Sequence, residues 1–548
     1  MSRVAEERAR GTVAERAGIV AAFTLMSRVL GYTRDAVLAH LFGAGAVFDA
    51  FVVAQTIPNL LRRLVAEGAL IVTFVPLLAE ARAGGGLAGM RRFTAAVLGL
   101  LLPLLLVLTG LGMAFPRVLV DFFAPGFEAE SAMLAADLTR VMMPFVLFVS
   151  LMALAGGALN VQGSFAPAAA APILLNIAVI ASAVLLRDRF AQPITAVAWG
   201  VAAGGVLQLA LQLPFLLKVK MLVRPIWAPG DAAVRALGAR VAPAVFGVAV
   251  YQINVLVIRQ IGSFLPAGQL SCYYNATRLQ EFALGVFAVS VSVAALPTLS
   301  EHAARRDYDA LLTTFRRALR ATSFVTVPAT IVVMALAAPM VHVLFRHGHY
   351  TLEAAGLTAT LLIWLGLALV PIGAVRVAVP TFYALGDTRT PVIGALASLA
   401  TTFAVGFLLG RRFEIHGLTL ATSVASVVQL FVLWRSLRTT LARRRAELAA
   451  QGAARAPAAP APEPVLRHAL RCALASLPGA ILSLALAALW PWERGSNLVG
   501  AAILLPLLLL NGLAYFAIAR RLGIEEADLI LKAVARRLGR AAPEGPSL

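Results

Sequence analysis

Arginine is the residue type whose placement in this chain points to chemistry. Arg28, Arg34, Arg62, Arg63, Arg140, Arg259, Arg278 and Arg376 fall inside stretches that are otherwise apolar enough to cross a membrane. Asp35, Asp49, Glu67, Asp137 and Glu281 fall there too, leaving an excess of three positive charges. A charged side chain near the centre of a membrane helix costs about 2.5–3.5 kcal/mol on insertion scales. That cost is borne where the charge has a partner or lines a water-filled path. Guanidinium groups grip phosphate oxygens bidentately, so surplus arginines at membrane depth suit a phosphorylated substrate.

Local pairing accounts for part of the set. Arg140 follows Asp137 by three residues and pairs within its helix. Arg259 lies near the outer end of its stretch, where a long side chain can snorkel to the interface. Arg63 with Glu67, and Arg278 with Glu281, stand at helical spacing and also fit a structural role. Arg376 has no obvious sequence-local partner. Arg28, Arg34 and Arg62 resist this reading best. Arg28 and Asp35 share a helical face, whereas Arg34 points about 120° away from Arg28, so one salt bridge cannot hold all three. Arg62 follows Ile57-Pro58-Asn59, where the proline removes a main-chain hydrogen bond. Broken backbone at membrane depth is tolerated where it lines a cavity. We therefore expect a cationic, water-filled pocket in the first half of the chain. His342, His347 and His349 have no acid or cysteine nearby to complete a ligand set, and are expected in an outer loop with no metal. No phosphate-binding loop, zinc signature or nucleophile elbow occurs, so no cofactor and no enzymatic activity are expected.

The elements that must position these residues are membrane helices. The 548 residues are 60% hydrophobic and 14% charged, with mean hydropathy +0.85. Apolar runs of about 20 residues, each long enough for a ~30 Å hydrocarbon core, recur from end to end. The expected fold is an all-α polytopic membrane protein with 14 spans. Net charge +20 does not imply nucleic acid, because most Lys and Arg sit in short loops on one side. That bias puts both termini in the cytoplasm, with residues 1–16 as a retained cytoplasmic lead-in rather than a signal peptide. Cys272 and Cys472 suggest no disulfide framework.

The chain repeats itself at an offset of about 222 residues. "FPRVLVDFFAPGF" (115–127) echoes "APMVHVLFRHGHY" (338–350), "VPLLAEA" (75–81) echoes "LPTLSEHA" (296–303), and "QGSFAP" (162–167) echoes "LGDTRTP" (385–391). Six spans separate equivalent positions, which implies two six-helix lobes, 17–220 and 235–441. An Ala/Pro-rich linker (442–465) precedes two further spans (466–521), and an amphipathic cytoplasmic tail (522–548) follows, its Ala527, Leu531, Val534 and Leu538 on one interfacial face.

Three stretches closely resemble the MurJ (MviN) family of lipid II flippases, in the multidrug/oligosaccharidyl-lipid/polysaccharide exporter superfamily. They are "SRVLGYTRDAVLAHLFGAGAVFDAFVVAQTIPNLLRRLVAEGA" (27–69), "NVQGSFAPAAAAPILLNI" (160–177) and "YYNATRLQEFALGVFAVSVSVAALPTLS" (273–300), and the likeness runs over about 17–521. The resemblance implies a V-shaped two-lobe transporter working by alternating access in the bacterial inner membrane. It would flip undecaprenyl-diphosphate-linked peptidoglycan precursor for cell wall biogenesis. It implies that Arg28, Arg34, Arg62 and Arg278 line the central cavity, with Asp49 beside them, and that spans 13 and 14 form a groove for the polyprenyl tail; the four arginines are expected to bind substrate, with Asp35, Asn59, Arg63, Glu67 and Glu281 also supporting the cavity. Expected partners are lipid II, membrane phospholipids and cell-wall synthesis proteins, with no nucleic acid. Some members carry a sodium site with an aspartate in the second lobe; spans 7, 11 and 12 here hold no Asp or Glu, which argues against sodium coupling.

Other classes fit less well. A flippase for another polyprenyl-diphosphate-linked oligosaccharide would share fold and cationic cavity but lack the 27–69 block. A multidrug cation antiporter needs unpaired embedded acids, opposite to the balance here. A membrane scaffold for cell-wall enzymes has no need of a charged cavity.

Overall fold

The computed structural model describes residues 3–64, 69–285, 288–451, 463–492 and 497–537. Every regular element among them is helical. The chain forms two compact units, one of residues 1–271 with 348–351, the other of residues 272–347 with 352–548.

The first unit holds α1 (Arg3–Phe42), α2 (Ala46–Arg62), α3 (Ala69–Ala114), the short α4 (Pro116–Phe123), α5 (Ala129–Met142), α6 (Pro144–Val161), α7 (Ala166–Leu185), α8 (Thr195–Lys218) and α9 (Ala232–Ser263). Proline near the start of α4, α6 and α7 suits positions whose N–H has no intrahelical acceptor. Asp231 caps α9 by accepting from the N–H of Ala233 at 2.9 Å. Helix α3 turns sharply at Gly86, whose φ of +56° suits a residue with no Cβ. In lipid, helices associate through small residues that allow close approach. Gly204 of α8 shows this: a Cβ there would meet the Leu175 side chain of α7 at 2.5 Å. Helix α7 packs in turn on α1, the helix bearing Arg28 and Arg34. The expected lead-in 1–16 continues directly into α1 from residue 3 onward.

Helix α10 (Gln269–Gly285) runs across the boundary into the second unit. That unit holds α11 (Ala288–Ala304), α12 (Tyr308–Ala335), the short α13 (Ala337–Phe345), α14 (Leu352–Gly366), α15 (Leu369–Ala384), α16 (Arg389–Ala450), α17 (Val465–Ala488), α18 (Asn497–Arg521) and α19 (Glu525–Arg537). Helix α16 changes direction at Glu414 and continues to Ala450, past the residue at which the linker was expected to start. Local features recur at the repeat offset: short α4 is matched by short α13, and left-handed Gly163 (φ +82°) by Gly386 (φ +74°).

Among the described residues, eight helical stretches are long and apolar enough to cross a membrane, and the bent pair α14–α15, angled at 45°, makes a ninth. Helices α1, α2 and α10 are not among them. Helix α1 carries Arg28, Arg34 and Asp35 in its C-terminal half, and α2 and α10 have 17 residues each.

Candidate functional site

The stretch Ser27–Asp35 lies in the C-terminal half of α1, and its charges are arranged unequally. Arg34 donates twice to the carboxylate of Asp35, from Nε at 3.0 Å and Nη2 at 2.7 Å. Its remaining Nη1 donates to Asn176 Oδ1 of α7 at 3.1 Å. Asn176 closes the set by donating from Nδ2 to the Ser27 carbonyl at 3.0 Å. The Arg34 and Asp35 side chains are 11% and 3% exposed, so the pair is almost wholly withdrawn from solvent. Arg28, one face away, is half-buried and makes no ion pair or hydrogen bond among the described residues. The same nine-residue stretch thus supplies a locked guanidinium and an available one.

Arg62 is half-buried in the last turn of α2, behind buried Pro58. Asn59 donates to the Gln55 carbonyl at 2.9 Å, which ties its amide to its own helix. At Arg63 the backbone opens into a π-helical turn, a local widening common at functional sites. Glu67 lies outside the described residues.

Asp49 is buried, and its role is legible from its partners. Its carboxylate accepts the Gly268 N–H at 2.6 Å and the Ser271 N–H at 2.7 Å, together with the Ser271 hydroxyl. It therefore caps the N-terminus of α10 from a different helix, where free N–H groups and the helix dipole favour an anion. Gly268 has φ +89°, and a Cβ there would lie 3.0 Å from the Ala44 carbonyl, so glycine is required. Asp49 and Ser271 stand 222 residues apart, the repeat offset itself, and both belong to the first unit. Arg259, expected to snorkel, is instead 8% exposed and within electrostatic reach of Asp49. Its alkyl chain carries the guanidinium inward because an anion lies there.

Arg278 belongs to the second unit. Its Nη1 donates to Glu281 at 3.1 Å and its Nη2 to the Tyr274 hydroxyl at 2.9 Å, with the guanidinium 4.9 Å from the Tyr274 ring centroid. The side chain stays 30% exposed, held by one carboxylate and one phenol on a single helix face. Arg376 of α15 is half-buried, its main-chain carbonyl accepting from Ser292 at 2.6 Å. Arg140 reaches Asp137 at 3.9 Å and donates to the Met113 carbonyl at 3.1 Å. His342 departs from the loop expectation: it is buried in α13. The loop residue His349 donates its main-chain N–H to the carbonyl of His40 at 2.9 Å.

Arg28, Arg34, Asp35, Asp49, Asn59, Arg62 and Arg63 thus lie in the first unit, with Arg278 and Glu281 in the second. Asn176, Gly268, Ser271 and Tyr274 join these residues only through the fold. Ser271 carried a usable signal, standing one repeat offset from Asp49.

Comparison with known proteins fits this architecture. The family model described as lipid II flippase MurJ matches residues 38–459. The probable lipid II flippase MurJ of Haemophilus influenzae is 37% identical over 431 residues, covering 76% of this chain and 84% of that protein. The corresponding protein of Bdellovibrio bacteriovorus is 32% identical over 529 residues, covering 95% and 97%. Among solved structures, a lipid II flippase MurJ in an inward closed conformation superposes with TM-score 0.73 at 23% identity, covering 95% of this chain and 99% of that one. An inward-facing multidrug resistance MATE family transporter of the MOP superfamily gives 0.67 at 14% identity, covering 78% and 99%. The extent of the family match and the near full-length relative lead to one conclusion: this chain is a multi-pass membrane protein of the lipid II flippase MurJ family.

Proposed function

We propose that this protein flips lipid II, the undecaprenyl-diphosphate-linked peptidoglycan precursor, from the inner to the outer leaflet of the bacterial inner membrane by alternating access. It acts as a transporter, with both termini cytoplasmic, in cell wall synthesis. Family membership supports the substrate. The observation that carries the reading at residue level is the charged stretch in α1. A half-buried arginine with no partner among the described residues, Arg28, stands six residues before a second guanidinium held in place by Asp35 and Asn176. A diphosphate offers oxygen pairs that match such forks.

In this reading Arg28, Arg34, Arg62 and Arg278 bind the diphosphate. Asp35 orients Arg34, Glu281 and Tyr274 orient Arg278, and Arg63, Asn59 and Glu67 shape the end of α2. Asp49 sets α10, and with it the position from which Arg278 projects. Helices α17 and α18 stand outside the repeat and carry largely apolar exposed faces, including Leu474, Ile481, Leu505 and Leu509. They form the surface along which the polyprenyl tail lies. Lobes of 17–220 and 235–441 perform the alternation. Membrane phospholipids and cell-wall synthesis proteins are its neighbours.

The test is complementation of a strain depleted of its own lipid II flippase. Wild-type protein restores growth, whereas Arg28→Glu, present at wild-type level in the membrane, does not. Growth supported by Arg28→Glu contradicts the reading and favours a scaffold role.

A further inference from the structure

Helix α19 is tied to α12 of the second unit by a buried charge. Arg320 of α12 has a side chain only 5% exposed. A buried guanidinium must be paired, because the cation cannot be neutralised by losing its proton. Its ion-pair partners among the described residues are Glu525, with Nη2 at 3.0 Å, and Glu526, with Nε at 3.3 Å. Both lie at the start of α19, the last helix among the described residues. Glu526 also faces His468 of α17, Oε2 to Nε2 at 3.7 Å, and His468 is fully buried with Cys472 Sγ 3.6 Å away.

The chain is shaped to deliver these carboxylates. Helix α18 ends in a Schellman turn: the Ile524 N–H donates to Ala519 O at 3.0 Å and the Gly523 N–H to Arg520 O at 2.9 Å. Gly523 takes φ +64°, as that turn requires. Ile524 is buried against Phe324, Cys472, Ala475, Tyr515 and Ala519, so the reversal is anchored apolarly as well. Arg471 of α17 binds Glu463 at 3.2 Å and also donates to the Leu522 carbonyl, bracing the turn from the other side. The amphipathic tail therefore does more than lie along an interface. Its Ala527 face is packed inward, while Leu529 and Ile530 remain exposed.

We propose that Arg320 is a positioning residue. By clasping Glu525 and Glu526 it fixes α19 on α12 and so sets the angle at which the α17–α18 hairpin sits. The functional half of this inference rests on the reading of α17–α18 as the surface for the polyprenyl tail. The two glutamates contribute unequally. Glu525 is 74% exposed, beside a cavity of about 550 Å³, and its pair is screened by salt. Glu526 is 12% exposed and bridges α12 to α17, so it carries most of the clasp.

The experiment uses full-length protein in lipid nanodiscs and hydrogen exchange of residues 529–532. Glu526→Gln and Arg320→Met each speed exchange by about tenfold or more, the effect of losing one buried ion pair. Glu525→Gln changes it less, and the swap Arg320→Glu with Glu526→Arg restores protection. Wild-type protection in a folded Arg320→Met, or no rescue by a folded swap, overturns the clasp. A second measurement follows transport of lipid II with its full tail and of an analogue with a short tail. Arg320→Met slows the full-tailed substrate and spares the short one. Equal effects on both, with α19 released, leave the clasp standing and overturn the tail-surface reading instead.

Discussion

Arg34 and Arg28 lie six residues apart on one helix, yet the structure separates what their loss does. Arg34→Ala removes two charge-assisted hydrogen bonds to Asp35 and one bond to Asn176. It takes the Arg34 guanidinium away from a carboxylate that is 3% exposed. Breaking a buried pair from one side costs about 3–5 kcal/mol, and the Asn176 bond adds about 1 kcal/mol. At a few degrees per kcal/mol, the melting midpoint should fall on the order of 10 °C. Arg28→Ala breaks no pair among the described residues and should cost less than about 1 kcal/mol. Both variants lose complementation, one by loss of fold and site, the other by loss of site alone. Arg34→Ala combined with Asp35→Ala recovers most of the midpoint, because no buried charge is left unpaired. The assay is detergent thermostability read by size-exclusion chromatography, with membrane abundance as control. Equal destabilisation by Arg28→Ala and Arg34→Ala, or a wild-type midpoint in Arg34→Ala, refutes the reasoning.

Three further outcomes follow from named contacts. Asp49→Ala uncaps α10 and should cost about 2–4 kcal/mol, with faster exchange of the Ser271 amide, whereas Ser271→Ala loses only the hydroxyl bond, about 1 kcal/mol; equal effects in the two variants contradict the cap. Truncation from about residue 465 should abolish flipping while the remaining helices still assemble; full activity from that protein refutes a role for α17–α18. Burial alone would raise the Asp387 carboxyl, but bonds from the Thr390 hydroxyl and the Thr390 and Arg389 amides, with Arg444 nearby, hold it below the usual range. A depressed folded value means that its contribution is present above the ordinary carboxylate pKa of about 4 and fades as pH falls through the folded one. Protection of the first turn of α16 should therefore weaken below pH ~4 in wild type and be pH-independent there in Asp387→Ala.

Much of the fold could be read from apolar run length, because a membrane helix must satisfy its backbone within itself. The arginines were legible for a related reason: a charge in an apolar run is costly enough to demand an explanation. What the sequence hid depended on tertiary partners. Asn176 is a neutral amide in an apolar run, and nothing local shows that it holds both Arg34 and the Ser27 carbonyl. Arg259 sits near a helix end, where snorkelling is the default, and only the fold brings Asp49 close enough to turn it inward. Arg320 follows Arg316 and Arg317 in what reads as a basic loop end, and its carboxylates come from about 205 residues away. Local spacing finds pairs such as Arg278 with Glu281 and cannot find those that the chain assembles from distant elements.

The central claim is tested most directly in sodium-free proteoliposomes carrying fluorescent lipid II, with a potassium-diffusion potential set by valinomycin. A doubly charged head moving outward gains up to about 4–5 kcal/mol per 100 mV of inside-negative potential. Wild-type protein is expected to move lipid II to the outer leaflet without sodium, faster when the interior is negative, and Arg28→Glu is not. Flipping that requires sodium and ignores the sign of the potential, or equal rates with and without the arginine, would contradict it.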